Sequence, residues 1–117
     1  MMLRMILVAV ALPLGCALAL IPSRPALAGE LPEYVLELRN HQYVPSELHV
    51  PAGTRFRITV HNQDPTAEEF ESTEFGREKV VLPHGTITVF VGPLKSGSYA
   101  FFGDFHAATA QGRLIVE

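Results

Sequence analysis

The chain has 117 residues, with 9 basic against 12 acidic side chains and a formal charge of −3, a balance that excludes a surface built for the phosphate backbone of nucleic acid. Its single cysteine rules out an intrachain disulfide, and that cysteine and all three methionines fall within the first 28 positions. The rest of the chain carries no sulfur, which excludes metal chemistry that depends on a thiolate or thioether there.

Arg4, the apolar run from Ile6 to Ile21 and the small-x-small sequence Ala26-Leu27-Ala28 predict an export signal over residues 1–28. A retained membrane anchor is the weaker reading, because Pro13 and Gly15 interrupt a run already shorter than the roughly 20 apolar residues of a span. Cys16 follows Gly15, but no polar tether follows it as a lipid-modified cysteine would require. Residues 29–117 then form one exported, periplasmic domain with 7 basic and 12 acidic residues, better suited to cations than to polyanions.

From residue 34 onward the apolar period is two, not 3.6. Tyr34, Leu36 and Leu38 alternate with Val35, Glu37 and Arg39. Pro45 and Pro51 bracket a short edge strand, Glu47 to Val50. Beyond the turn Pro51-Ala52-Gly53-Thr54, residues Phe56, Ile58 and Val60 share one face, and Asn62-Gln63-Asp64-Pro65 ends that strand with turn chemistry. Glu68 to Lys79 is charged and reads as irregular, Val80 to Leu82 as a short strand. Ile87, Val89 and Val91 alternate again, and Gly97 to Phe105 follows a Lys-Ser-Gly turn. About seven short strands without a helix predict an all-β, antiparallel Greek-key β-sandwich, for which an immunoglobulin-like topology has the same strand count.

Three stretches in order resemble the cupredoxin-like superfamily: Tyr43-x-Pro45-x-x-Leu48-x-Val50-Pro51-Ala52-Gly53-Thr54, then Val60-His61-Asn62-Gln63-Asp64, then Gly97-x-Tyr99-x-Phe101-x-Gly103-x-x-His106 with Gly112 beyond. Glu68-Glu69-Phe70-Glu71-Ser72, Arg77-Glu78-Lys79 and Phe102-Gly103-Asp104-Phe105-His106 are most similar to the EfeO-type cupredoxin-like domain of periplasmic iron-uptake systems. The resemblance implies that the four copper-ligand positions fall at Glu68, Gly103, His106 and near Ala110. Only His106 retains the usual ligand, so no type 1 blue copper is expected.

Strand parity puts Glu68 on the same face as Phe70, so Glu68 and His106 are the first candidate metal ligands. Asp104 shares a face with Ala100 and Phe102 and joins them only if the strand ends or twists there. Carboxylates and imidazole suit iron or copper(II). Glu68→Ala or His106→Ala is expected to abolish metal binding while leaving the melting temperature within a few degrees, because surface changes usually cost under about 0.5 kcal/mol. His41 and His49 are placed away from the metal end, His61 on the outer face and His84 in a turn. The five acids from Glu68 to Glu78 also read as a solvated loop partly neutralised by Arg77 and Lys79.

No nucleophile–base arrangement is visible, and no enzyme is expected. Two functions fit. The first is a periplasmic metal-binding accessory protein in iron or copper handling, which meets a periplasmic or membrane iron-transport partner. The second is a degenerate cupredoxin that serves as a metal-free interaction module. An atypical copper redox carrier ranks behind both.

Overall fold

The structure is a computed structural model that describes residue 11 and residues 30–117, so the expected signal over residues 1–28 lies, apart from position 11, outside the described residues. Among the described residues no helix is long and apolar enough to cross a membrane.

Among the described residues nine strands follow in chain order: β1 (Glu33–Arg39), β2 (Gln42–Val44), β3 (Glu47–Val50), β4 (Phe56–Asn62), β5 (Glu68–Ser72), β6 (Arg77–Val81), β7 (Thr86–Val91), β8 (Gly97–Gly103) and β9 (Gln111–Val116). They form two sheets, ordered β2-β1-β4-β7 and β3-β9-β8-β5-β6. The alternating faces pack between them. Leu36, Phe56, Ile58, Val60, Phe70 and Leu114 are fully buried, and the rings of Tyr43, Phe70 and Phe101 meet at centroid distances of 5.2–5.9 Å. Each such side chain contributes about 1.5–3 kcal/mol by leaving water, and with no disulfide this burial must hold the sheets together.

Two expectations are corrected. The sandwich is mixed and not purely antiparallel, because β1 lies parallel to β4 and β3 parallel to β9. After the β1–β2 hairpin the chain crosses to the other sheet as β3 and returns as β4 beside β1. Period-two patterning is the same in both directions, so it carries no sign of this. The stretch from Glu68 to Lys79 is also not irregular. It is the hairpin β5–β6, in which Phe70 and Ser72 face inward and Glu71 pairs with Glu78 outside. Arg77 and Lys79 turn away from these acids and donate to the Phe90 and Thr88 carbonyls of β7, at 2.7 and 3.3 Å.

Gly112 shows how close the packing is. A Cβ there would lie 2.3 Å from Cζ of Phe101 and 2.8 Å from the Ser46 carbonyl oxygen. Gly112→Ala should therefore lower stability by about 1–3 kcal/mol, the usual cost of overpacking a core. Thermal unfolding checks this, and an unchanged midpoint would mean that Phe101 can move aside.

The ends of β1, β4 and β8 and the starts of β5 and β9 gather at one end of the sandwich. Gln63 N–H donates to the Leu38 carbonyl at 2.8 Å, and the Asn62 amide donates to the Thr66 and Leu82 carbonyls at 2.8 and 3.1 Å. The loops before β5 and before β7 are thereby fastened to the end of β4, and the residue after β4 is fastened to β1.

Candidate metal centre

At this end Glu68, Gly103, His106 and Ala110, the positions to which the resemblance assigns copper ligands, come together, but their side chains do not make a blue-copper site. Glu68 opens β5, where the inward parity of Phe70 carries it inside, and it is 2% exposed. Its Oε1 accepts the N–H groups of Glu69 and Phe105 at 2.9 and 2.8 Å, and its Oε2 lies 2.5 Å from Nδ1 of His106. A Cβ on Gly103 would stand 2.5 Å from Cδ of Glu68 and 2.8 Å from Cβ of Ala110. The Glu68 carboxylate thus fills the space a cysteine side chain would need. The donor set lacks a thiolate and the cradle has no room for one, so the residues present do not fit type 1 copper.

His106 ends a single 3-10 turn, Asp104–His106, that follows β8 directly. The turn sends alternate side chains in different directions. His106 comes back over Glu68, while Asp104 goes to the outer face of β5 and joins Glu69 and Glu71, with ligand atoms within 4.8 Å of one another. The expected trio of Glu68, His106 and Asp104 is therefore corrected to Glu68 and His106, with Asp104 in a separate acidic group. In that group Glu69 is pushed up to about 7, first by a hydrogen bond with Glu78 and then by partial desolvation and the Glu78 charge. Glu71 is raised by partial desolvation and the charges of Glu78 and Asp104.

His41 takes the third place beside Glu68, contrary to its expected position away from the metal end. The donor atoms of His41, Glu68 and His106 lie within 4.8 Å of one another. The two imidazoles stack at a centroid distance of 3.6 Å and an interplanar angle of 13°. The reason is topological: because β1 runs parallel to β4, the β1–β2 turn emerges at the same end as the β4–β5 loop. Asn40 and His41 form a two-residue turn with φ of 50° and 58°, the primed geometry that suits a hairpin's twist. Left-handed backbone costs a residue bearing a side chain about 1–2 kcal/mol. Asp64 offsets this, since its carboxylate accepts the N–H groups of Asn40 and His41 at 2.8 and 2.9 Å.

Tyr43 closes the floor. Burial, and then the Glu68 charge, push its phenol well above the ordinary range, so it remains a neutral donor to the Phe102 carbonyl at 3.3 Å. The other histidines stay apart. His49 bridges Glu47 and Glu117 on the edge strand, His61 reaches Thr86 on the outer face, as its parity requires, and His84 occupies the β6–β7 turn.

A groove of about 510 Å³ lined by Ser46, Phe102, Gln111 and Arg113 among others lies apart from His41, Glu68 and His106. The candidate centre is a rim of two half-buried imidazoles over a buried carboxylate.

A family model described as "Cupredoxin-like domain" matches residues 8–116. An uncharacterised protein of Rickettsia prowazekii strain Madrid E is 48% identical over 84 residues, which cover 72% of this chain and 67% of that one. Auracyanin A, a "blue" copper protein from Chloroflexus aurantiacus, superposes with a TM-score of 0.66 at 15% identity, over 73% of this chain and 98% of its own. The metal-binding domain of the Streptococcus pneumoniae D39 Cu(I)-exporting P-type ATPase, solved with Cu(I), gives 0.66 at 17% identity, over 73% and 84%. Amicyanin from Paracoccus versutus gives 0.58 at 17% identity, over 73% and 81%. At such identities the structural likeness concerns the fold alone.

Proposed function

Because the chain belongs to the cupredoxin-like domain family, we propose that it is an exported, periplasmic metal-binding accessory protein that holds iron or copper(II) at the His106–Glu68 end without a type 1 copper centre. Its role is binding and presentation to a periplasmic or membrane transport partner, not catalysis. The convergence of imidazole and carboxylate donors at the rim, on a fold whose solved neighbours include copper proteins, carries this reading. The resemblance of Glu68 to Ser72 and Phe102 to His106 to the EfeO-type domain supports iron handling in particular.

One observation favours the second reading, a metal-free interaction module: both Glu68 oxygens already have donors within the protein. The two readings part in one experiment. The full chain, purified in the form in which cells accumulate it and stripped of metal, is unfolded by heat alone and with ferric iron, ferrous iron, copper(II) or zinc. A ligand bound only by the folded state raises stability by about 2.7 kcal/mol at a hundredfold excess over its dissociation constant. The expected result is a saturable rise with at least one ion that His106→Ala removes. No rise with any ion would leave the interaction module.

A further inference from the structure

Resting on the reading of this end as a metal site, we propose that His41 is a metal ligand held ready by Asp64. The centre is then a two-imidazole site for a borderline divalent ion, with copper(II) bound above zinc and ferrous iron.

The backbone provides the first reason. His41 occupies the second position of a primed two-residue turn at φ 58°, where glycine is the favoured residue. Local conformation therefore disfavours histidine there. What keeps it in place comes from elsewhere in the chain, since Asp64, 8% exposed in the β4–β5 loop, accepts the N–H groups of both turn residues. A residue held against its own preference by a buried carboxylate 23 positions away is placed for its side chain.

The side chains provide the second. Oδ2 of Asp64 lies 3.6 Å from Nδ1 of His41, and Oε2 of Glu68 lies 2.5 Å from Nδ1 of His106. Only the second is a hydrogen bond, the arrangement that fixes ring orientation in metal-binding histidines, whereas Asp64 faces the His41 ring at ion-pair distance and holds that residue through its backbone N–H. Among the described residues neither Nε2 has a hydrogen-bond partner, and the side chains are 40% and 29% exposed. Glu68 and Asp64 act here as positioning residues. The lone pairs of parallel rings do not converge on one point, so an ion parts the stack: Asp64 holds the backbone of His41 at the rim, and its more exposed ring, which has no hydrogen bond to Asp64, is the one that turns.

Two imidazoles without sulfur suit copper(II), zinc and ferrous iron and do not suit copper(I), and among divalent first-row ions copper(II) binds tightest. The preference follows from the donors and needs no preformed geometry.

The test uses the metal-stripped full chain with copper(II) or zinc as the probe. In His41→Gly the turn gains its favoured residue, so the apoprotein should melt at the same temperature or higher, while the copper(II)-induced rise falls at least tenfold in apparent affinity. Asp64→Asn should weaken copper(II) binding roughly tenfold, the usual loss when the group behind a ligand histidine is changed. Electron paramagnetic resonance of the copper(II) form supplies a signature independent of stability, with two imidazole nitrogens in the parent protein and one in His41→Gly. A rise that survives His41→Gly but is lost in His106→Ala, or one nitrogen in the parent, would overturn His41 as a ligand and leave the metal site standing. No rise in the parent with any ion would overturn both.

Discussion

Glu68→Ala should lower the melting temperature by roughly 10–20 °C, even in the absence of metal. The carboxylate is 2% exposed and, among the described residues, is the hydrogen-bond acceptor for the N–H of Phe105. It also receives the N–H of Glu69 and faces Nδ1 of His106. Removing it takes the acceptor from two part-buried N–H groups, at about 1 kcal/mol each, and opens a gap between β5, β8 and the 3-10 turn that adds to the loss. A loss of about 2–3 kcal/mol corresponds to the stated shift at about 4–8 °C per kcal/mol in a domain of this size. Glu68→Gln keeps one acceptor oxygen and the side-chain volume, so its cost should be smaller. This overturns the expectation that ligand substitutions here are stability-neutral, which holds only for exposed positions. A melting temperature within a few degrees of the parent would show that water replaces the carboxylate without penalty.

Gly103 gives the second large effect. Gly103→Ala places a Cβ 2.5 Å from Cδ of Glu68 and 2.8 Å from Cβ of Ala110, so a loss of about 1–3 kcal/mol is expected from overpacking. The two positions should be coupled. In a Glu68→Ala background the nearest obstructing atoms are gone, and the added cost of Gly103→Ala should fall by at least about 1 kcal/mol in a double-mutant cycle. Strict additivity within about 0.5 kcal/mol would mean that the two side chains do not compete for one space. Gly103→Cys alone should likewise give no blue chromophore with copper(II), because the thiolate position is occupied.

These two positions are matched to each other. With no side chain at 103, the floor of the site has room beside Ala110 that the Glu68 carboxylate fills. There it meets the N–H groups of Glu69 and Phe105 and Nδ1 of His106.

Much of the fold was legible from residue order. Alternation from Tyr34 to Leu38, Phe56 to Val60 and Ile87 to Val91 marked strands whose inward faces the structure confirms, and Pro45 and Pro51 correctly marked an edge. The hairpin β5–β6 was hidden because its outer face carries Glu69, Glu71 and Glu78 and the other face of β6 carries Arg77 and Lys79, so charge on both faces masked a period of two. Of the candidate site, Glu68 was placed by parity with Phe70 and His106 by the resemblance to the cupredoxin-like ending Gly103-x-x-His106, and the structure brings these two side chains together. His41 and Asp64 were not legible. The signal for His41 lay in Asn40-His41, a two-residue turn between alternating runs, but a turn alone does not say at which end of the sandwich it emerges.

By itself, then, the residue order determined the class of the fold, the inward face of most strands, and the absence of thiolate and thioether donors after position 28, because each of these is set by chemistry local to a few consecutive residues. The tertiary structure alone decided that β1 and β4 run parallel, that His41 stacks on His106, that Asp104 leaves for the outer face and that Glu68 occupies the cysteine's space. Each of these depends on which distant segments share an end of the sandwich. Strand direction and loop placement are fixed by the joint packing of both sheets, and no local period encodes them.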